Sequence, residues 1–529
     1  MLAIASAAAE DLPAPRSFAE LESAGARVGQ IHILPQEIFD TSDPKEGRLP
    51  YRWANALHVR TRPFVIERAL LFKSGDPVSV RLIEETERTL RSNRYLYDVQ
   101  IRPGAYHDGS VDIEVITRDT WSLDPSANAG RTGGANSSGI HLAEHNLLGT
   151  GISLGVGRSK TVDRTSQEFK FSNDRVFGTR ISTAFTHETN SDGSRDSASI
   201  VRPFYALDAR WAAGVTALRD DRIDPIYNAG NVVSEFRHRL ERSEAFAGWS
   251  AGLSDGWVQR YSVGLSAQKD VYAPEPGRTG PPRLPADEKL VAPFVRYELL
   301  EDHYETLLNH DLIGRPEFFA LGFAAKVQLG WAGRSLGSTQ DMALYAASVG
   351  QGFQPTPDHT LTLTGELTGR YHDGAVDRQQ AGFDARWYAR QSTRWLFYAA
   401  ASADVLTRPG PVDFLLLGGD NGLRGYPLRY QSGTRRALFT VEERWYTDAY
   451  PLRLFRVGGA AFIDVGRAWG GDNTNALNPG WLSNVGVGLR VVNARSAFSS
   501  VLHVDVAFPI QPTADLKKVQ LLVKTRASF

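Results

Sequence analysis

Apolar and polar residues alternate along most of the chain after Trp121, and this alternation predicts β-strands. In segments 319–331, 261–268 and 484–491 every second residue is apolar, whereas most of the residues between are small or polar. Runs of about ten residues are long enough for a tilted strand to cross a bilayer. A soluble β-sandwich would have shorter strands of about five or six residues. The pattern therefore predicts a mainly β chain in which residues 121–529 form a transmembrane antiparallel barrel.

The number of strands depends on how these segments are divided. Roughly 16 to 20 candidate segments can be counted, and those between residues 160 and 255 are weakly patterned. We expect a barrel of about 16 strands. Connections near the C-terminus alternate between short (391–394, 493–497) and long (407–434, 466–483). Short turns on one side and long loops on the other are typical of outer-membrane barrels.

Residues 25–120 have a different pattern, which predicts a small α+β domain. A strand is expected over 29–39, and helical periodicity runs over 63–71 and again over 79–92. A hairpin of two strands ends the domain. The predicted order is strand, helix, helix, strand, strand.

Composition restricts the possible classes of function. With 59 basic and 60 acidic residues, the chain has no net charge that would draw it to nucleic acid. Cysteine is absent, as suits a chain that crosses an oxidising compartment without disulfides. The sequence has no apolar run of about 18 residues, so a transmembrane helix is not expected. Residues 1–10 combine a short apolar run with small residues, which is typical of the residual end of a secretory signal peptide.

Two motifs in the C-terminal half carry an arginine and an aspartate that are candidate partners. The long loop contains Gly419-Asp420-Asn421-Gly422-Leu423-Arg424-Gly425-Tyr426, and the glycines beside Arg424 allow a tight turn. A later strand contains Phe462-Ile463-Asp464-Val465-Gly466, which places Asp464 on one face with Gly466. If that face lines the lumen, the carboxylate needs a partner. Glu442 and Arg444 share one face of the adjacent strand and are candidate neighbours.

These motifs resemble those of the bacterial surface antigen superfamily, the BamA/TamA-type outer-membrane insertases and translocases. Asn146-Leu147-Leu148-Gly149-Thr150-Gly151 is similar to the Asn-x-Leu-Gly-x-Gly turn of that family, and residues 25–120 resemble a single POTRA domain. The resemblance covers nearly the whole chain in the right order. It implies that loop 407–434 folds back into the barrel. It also implies that Arg424 meets the inner wall near Asp464. Supporting residues are Gly422, Gly425 and Tyr426 of the loop tip and Gly466 of the wall.

The end of the chain predicts how the barrel closes. Segment Lys518–Phe529 alternates and ends on the aromatic Phe529, which resembles the C-terminal recognition strand of outer-membrane barrels. Closure would join this segment to the first strand, near Ser122–Arg131. In the family this seam is the proposed lateral gate. Pro125 and Gly130 weaken strand pairing, so a weak seam is expected here.

Two short motifs match catalytic sites but lie in the wrong kind of element. Gly151-Ile152-Ser153-Leu154-Gly155 matches the nucleophile elbow of serine hydrolases, which needs a following helix, whereas here the alternation continues. His141-Leu142-Ala143-Glu144-His145 matches a zinc-peptidase motif that needs a helix. In a strand, Glu144 would point away from both histidines. We therefore predict no catalytic residue, no metal and no cofactor.

Taken together, the sequence predicts an outer-membrane protein that inserts or translocates polypeptides without covalent chemistry, with its POTRA-like domain in the periplasm. Its partners would be unfolded or extended client polypeptides, the outer-membrane bilayer and accessory periplasmic proteins, but not nucleic acid. A passive channel for small solutes is the alternative, and it would give a large, steady conductance. An enzyme anchored by the barrel, as in relatives with a fused lipase, would need a larger soluble domain.

Overall fold

The computed structural model describes residues 17–471, 479–494, 501–511 and 516–526. The described chain divides into two compact units. The first contains the residues up to Trp121 together with Leu148–Thr150, and the second contains the rest. The predicted signal-peptide segment 1–10 and Phe529 lie outside the described residues.

The first unit is a three-stranded sheet covered by helices. Its elements are α1 (Phe18–Ser23), β1 (Arg27–Gln36), α2 (Leu49–Leu57), α3 (Pro63–Glu67), α4 (Val80–Arg91), β2 (Leu96–His107) and β3 (Ser110–Asp119). The sheet order is β1-β3-β2, with β1 parallel and β2 antiparallel to β3. Alternate residues of β3 are fully buried, and α4 buries Ile83 and Leu90 in the same core.

Helix boundaries in this unit differ from those expected. Helix α3 ends at Glu67 instead of reaching residue 71, and α2 was not predicted. Helix α2 has no fully buried residue, although Leu49, Trp53 and Leu57 follow a helical spacing along it. Helix α4 begins where the pattern predicted, and the hydroxyl of its cap residue Ser79 accepts the Leu82 N–H.

The second unit is a closed antiparallel barrel of twenty strands, so the expectation of about 16 strands was wrong. In chain order the barrel strands are β4 (Leu123–Thr132), β5 (Ala135–Glu144), β6 (Ile152–Lys160), β7 (Thr165–Asn173), β8 (Ser182–Asn190), β9 (Gly193–Arg202), β10 (Trp211–Asn228), β11 (Asn231–Ser254), β12 (Trp257–Pro274), β13 (Glu288–Glu301), β16 (Ala324–Ala332), β17 (Met342–Thr356), β18 (His359–His372), β19 (Ala375–Arg390), β20 (Trp395–Thr407), β23 (Arg435–Tyr446), β24 (Phe455–Trp469), β25 (Leu482–Asn493), β26 (Val501–Pro509) and β27 (Gln520–Arg526).

The undercount has a physical cause in the weakly patterned region. Strands β7, β8 and β9 are only 9, 9 and 10 residues long. Polar residues such as His187 and Asp196 pair on the same face as apolar Phe169, which breaks the apolar alternation. The strands are nevertheless separate, because main-chain pairing with both neighbours, rather than apolar side chains, defines them.

The outward face of strands β10–β13 has the surface of a membrane-spanning barrel. One row of directly paired residues is aromatic, and a second row, eight positions further along β10, is charged. This separation of eight positions is close to the roughly nine to eleven residues with which a tilted strand crosses a bilayer. The rows are Trp211, Trp249, Tyr261, Tyr297 and Arg219, Glu241, Lys269, Lys289.

We call the end of the barrel at which β4 begins the near rim and the opposite end the far rim. The near segment, residues 302–323, connects β13 to β16 at the near rim and contains the hairpin β14 (Tyr304–Leu308) and β15 (Pro316–Ala320). The far segment, residues 408–434, connects β20 to β23 at the far rim and contains β21 (Leu415–Leu417) and β22 (Gln431–Gly433).

The near segment corrects one sequence-based expectation. Alternation from residue 319 to 331 predicted a single strand, whereas the structure has β15 and β16 with a break at Leu321–Phe323. Leu321 is fully buried against Gly352, where an added Cβ would lie 2.5 Å from a Leu321 methyl carbon. In the described part of the chain, no helix is long and apolar enough to cross a membrane.

Candidate functional site in the barrel lumen

The structure brings Arg424 and Asp464 together in the lumen. Arg424 Nε and Nη2 donate to the two carboxylate oxygens of Asp464 at 2.8 and 2.7 Å, a bidentate pair. The two residues are 2% and 0% exposed. The Arg424 guanidinium also lies 3.4 Å from the ring centroid of Phe462. Shielding from water makes such a fork strong and specific in geometry.

Asp464 has two further donors on the strands beside it. The Thr440 hydroxyl and the Asn484 amide donate to its oxygens at 3.0 and 2.8 Å. Asn484 in turn accepts the Gly425 N–H through its side-chain oxygen at 3.1 Å. The inner wall is therefore pre-shaped to hold both the side chain of Arg424 and the backbone beside it.

Glu442 connects this pair to a second arginine. Its two carboxylate oxygens accept Arg424 Nη1 at 2.7 Å and Arg444 Nε at 2.9 Å. Arg444 then donates from Nη1 to the main-chain carbonyl of His310 at 2.8 Å. His310 belongs to the near segment, so a continuous polar chain runs from the far segment to the near segment. The two candidate neighbours named from the sequence both take part in it.

Glycines allow the tip of the far segment to approach the wall. A Cβ on Gly425 would lie 2.6 Å from Asn484 Cβ, and one on Gly422 would lie 2.1 Å from a Leu438 methyl carbon. Gly422 also has φ of 133°, which favours glycine. Gly466 leaves room for Leu417, whose methyl carbon would meet an added Cβ at 3.0 Å. Tyr426 is buried, and its hydroxyl donates to the Ser483 carbonyl at 3.0 Å.

A second ion pair fastens the far segment across the far rim. Arg429 donates to both oxygens of Asp163, in the turn between β6 and β7, at 2.8 and 2.7 Å. The Tyr227 hydroxyl donates to the same carboxylate at 2.6 Å. Lys524 of the last strand donates to the Asp420 carbonyl at 2.9 Å. The far segment is thus tied to strands on several sides of the barrel.

The near segment is held in the lumen by apolar and polar contacts that the sequence did not indicate. Ile313 is buried in a cluster with inward residues of the wall, including Tyr388 and Tyr446. The hydroxyl of Tyr446 donates to the Asn309 carbonyl at 2.6 Å, and that of Tyr388 to Asp311 at 3.0 Å. The long connection between β13 and β16 could have indicated a segment inside the barrel. The alternation over residues 319–331 made part of this connection look like a barrel strand.

Glu317 organises the turn of the near segment. Its carboxylate accepts three main-chain N–H groups, from His310, Asp311 and Leu312, at 3.0, 2.9 and 3.1 Å. Burial raises the pKa of Glu317 to about 7, against the opposing effect of these hydrogen bonds. Burial also lowers the pKa of His310. Both groups therefore favour their neutral forms in the packed segment.

A polar cavity of about 340 Å³ lies beside the far-segment tip. Charged side chains of both signs face it, and Arg424, Glu442 and Asp464 form part of its wall. The cavity has room for water, and its lining is too polar for a drug-like apolar ligand site. The chemistry that it supports is reversible ion pairing.

The two motifs that match catalytic sites lie on strands. The segment His141–Glu144 ends β5, and Ser153 lies in β6 with no helix after it. Ser153 Oγ is 3.2 Å from His145 Nδ1, a contact that the sequence analysis missed. Among the described residues, no group of three or more His, Asp or Glu side chains is placed to hold a metal ion.

The geometry defines a membrane-type β-barrel whose lumen is occupied by segments from both rims. A comparison with models of known families found no match, and neither did a comparison with curated proteins. The fold is similar to that of CdiB from Escherichia coli, with a TM-score of 0.50 and 12% identity over 95% of this chain and 76% of that one.

Two further solved structures match over similar lengths. CdiB from Acinetobacter baumannii has a TM-score of 0.45 and 12% identity, over 95% of this chain and 73% of that one. BamA from Haemophilus ducreyi, in a form lacking POTRA domains 1–3, has a TM-score of 0.43 and 13% identity, over 94% and 85%. At such identities the likeness concerns the fold.

Proposed function

We propose that this protein is an outer-membrane barrel of the BamA/TamA type that inserts or translocates polypeptides without covalent chemistry. The observation that carries the proposal is the seam at which the barrel closes. Among the described residues, β27 and β4 are paired at one position only, Val523 with Arg131. Every other pair of neighbouring barrel strands is paired at seven positions or more.

A seam with so little main-chain pairing is the easiest place to part the wall. Lipid cannot satisfy unpaired N–H and C=O groups, so an open strand edge at that depth favours pairing with another strand. An incoming polypeptide strand would supply those partners. Gly130 lies at the seam, where an added Cβ would be 3.1 Å from the Val523 carbonyl oxygen.

The first unit is suited to deliver such a strand. We propose that it is a single POTRA-like domain in the periplasm. Its sheet has β1 and β2 as its two edges, since β3 lies between them. An extended client can add to a sheet edge through main-chain hydrogen bonds, with little dependence on its sequence. This mode of binding fits a protein that handles unfolded polypeptides.

The seam can be tested by locking it. The chain has no cysteine, so Arg131→Cys with Val523→Cys introduces the only possible disulfide, between directly paired residues. A photo-crosslinking residue placed in β4 should capture extended polypeptides in the reduced barrel. Capture should be lost when the disulfide forms.

The matched control uses the same residue of β27. Val504→Cys with Val523→Cys joins β26 to β27, which are already extensively paired. Oxidation of this control should leave capture unchanged. Equal capture by the seam-locked barrel and the control would contradict a function that depends on opening the seam.

The far and near segments argue against a passive channel for small solutes. Both enter the lumen and are joined there through Glu442 and Arg444. The passive channel predicts a large, steady conductance in planar bilayers from the native protein. Our proposal predicts little conductance from the native protein and a large one after residues 408–434 are removed.

A further inference from the structure

Three arginines lie together outside the lumen, where strands β7–β10 reach the near rim. Arg175 and Arg180 belong to the turn between β7 and β8, and Arg202 ends β9. The guanidinium carbons of Arg180 and Arg202 lie 4.6 and 5.0 Å from the ring centroid of Tyr205. The two cations therefore share one aromatic ring.

The electrostatics of this arginine cluster favour an anion. The pKa of Arg180 is lowered, mainly by burial. The positive charge of Arg175 lowers it further, and that of Arg202 has a smaller effect. Within the described chain, no carboxylate is within ion-pair distance of Arg175 or Arg202. An anion bound here would offset the mutual repulsion of the three cations.

An apolar groove of about 570 Å³ continues from the cluster along the lipid-facing surface. It exists because small alanines lie on the outward face of β10 and β11 between larger residues. Arg202 pairs directly with Ala213, which places it at the end of the groove. The alanines are Ala213, Ala245 and Ala247, and the larger residues include Ile200, Trp211, Val215 and Val263.

The depth of the site matches the membrane interface. Trp211 belongs to the aromatic row at the near edge of the lipid-facing band, and such rows lie at the level of lipid headgroups. The Arg202 guanidinium lies 3.7 Å from the Trp211 ring and donates to its main-chain carbonyl. The arginines are thus at headgroup level, and the groove lies beside acyl chains.

We propose that this surface binds one anionic phospholipid of the near-rim leaflet, with its phosphate on the arginine cluster and an acyl chain in the groove. Arginine is suited to phosphate because its planar fork donates to two oxygens at once. A zwitterionic lipid has the same phosphate but carries its own cation, so the site should select against it. The inference rests on the proposed membrane location.

The test is lipid retention by the purified full-length barrel, measured by native mass spectrometry. Detergent-solubilised protein is offered an equimolar mixture of phosphatidylglycerol and phosphatidylcholine with identical acyl chains. Wild type should retain one phosphatidylglycerol in preference to phosphatidylcholine. Arg180→Gln with Arg202→Gln should lower this preference by roughly tenfold. Arg219→Gln, an outward arginine of β10 paired with Glu241, is the matched control and should keep it.

A second variant separates a lipid from a free phosphate. Ala247→Phe fills the groove and leaves the arginines intact, so retention of phosphatidylglycerol should fall while binding of inorganic phosphate is unchanged. Equal retention of the two lipids by wild type would overturn the proposal, as would full retention by either site variant. Each variant is first run on gels unheated and boiled, and should show the same heat-dependent change in mobility as wild type. This control distinguishes a failed barrel assignment from a failed lipid site.

Discussion

At the scale of single residues, the central feature is a buried arginine whose three nitrogens each meet a carboxylate oxygen. Removing one partner of a buried ion pair costs about 3–5 kcal/mol, because the remaining charge is left without compensation. An exposed pair would cost less than about 1 kcal/mol. Arg424 and Asp464 belong to the first class, since both are almost fully inaccessible to water.

We predict that Arg424→Ala releases the far segment without unfolding the barrel, whose strands are held by main-chain pairing. Limited proteolysis of intact cells should then cut within residues 408–434. Asp464→Ala should give the same result, and the double variant should be little worse than either single variant. Arg424→Lys should rescue only in part, because an ammonium cannot form the fork.

The exposed Arg435, on the strand directly after the far segment, is the matched control. Arg435→Ala should leave the segment protected, since surface substitutions of this kind change stability by about 0.5 kcal/mol or less. Additive losses in the double variant, or a protected far segment in Arg424→Ala, would show that the two residues do not act as a pair.

At the scale of elements, burial shifts the pKa of two groups in the near segment, Glu317 and His310, and their effects on its stability have opposite pH dependence. Glu317 has a pKa raised to about 7 when packed, so its stabilising effect is complete at low pH and is lost as pH rises through 7. His310 is neutral when packed, and its effect is lost only as pH falls below its unperturbed value of about 6.5. Between pH 6.5 and 8, Glu317 alone should control the segment.

We predict that the near segment becomes more sensitive to protease as pH rises from about 6.5 to about 8. Cleavage within residues 302–323 of the reconstituted barrel measures this. Glu317→Gln should abolish the pH dependence, because the amide does not titrate in this range. Glu305→Gln, in β14 of the same hairpin, should preserve the pH dependence, because its side chain is 44% exposed. A pH dependence retained by Glu317→Gln would assign the effect to another group.

Sequence patterns predict some of these elements and hide others for physical reasons. Clean alternation in β12 and β25 reports the contrast between lipid and lumen, so both strands were recognised. The alternation from 319 to 331 has the same pattern but a different cause at its start. Phe319 packs against the apolar cluster in the lumen and not against lipid. Periodicity cannot tell which apolar surroundings a strand faces.

The candidate site shows the same limit. Arg424 and Asp464 were paired on the resemblance of two motifs, and Glu442 and Arg444 on their shared strand face. No motif marks the His310 carbonyl, because a main-chain acceptor leaves no trace in residue identity. The link to the near segment is therefore visible only in three dimensions.

At the scale of the whole molecule, the assignment as a membrane barrel has a direct test. A closed barrel stays folded in detergent until it is heated, because each of its strands is hydrogen-bonded to a neighbour on both sides. The protein should fractionate with the outer membrane and migrate faster on gels when unheated than when boiled. A soluble protein with a single mobility would contradict the assignment.

The polar chain through Glu442 has a consequence for how the two rims communicate. One carboxylate binds Arg424 of the far segment and Arg444, which holds the near segment. Departure of either segment therefore changes the free energy with which the other is retained. Thermodynamic linkage makes this coupling reciprocal. If release of the near segment changes the equilibrium constant for release of the far segment by some factor, release of the far segment changes that of the near segment by the same factor. Under the proposed function, a polypeptide that displaced the near segment would therefore be an allosteric effector of the far segment, at the opposite rim of the barrel.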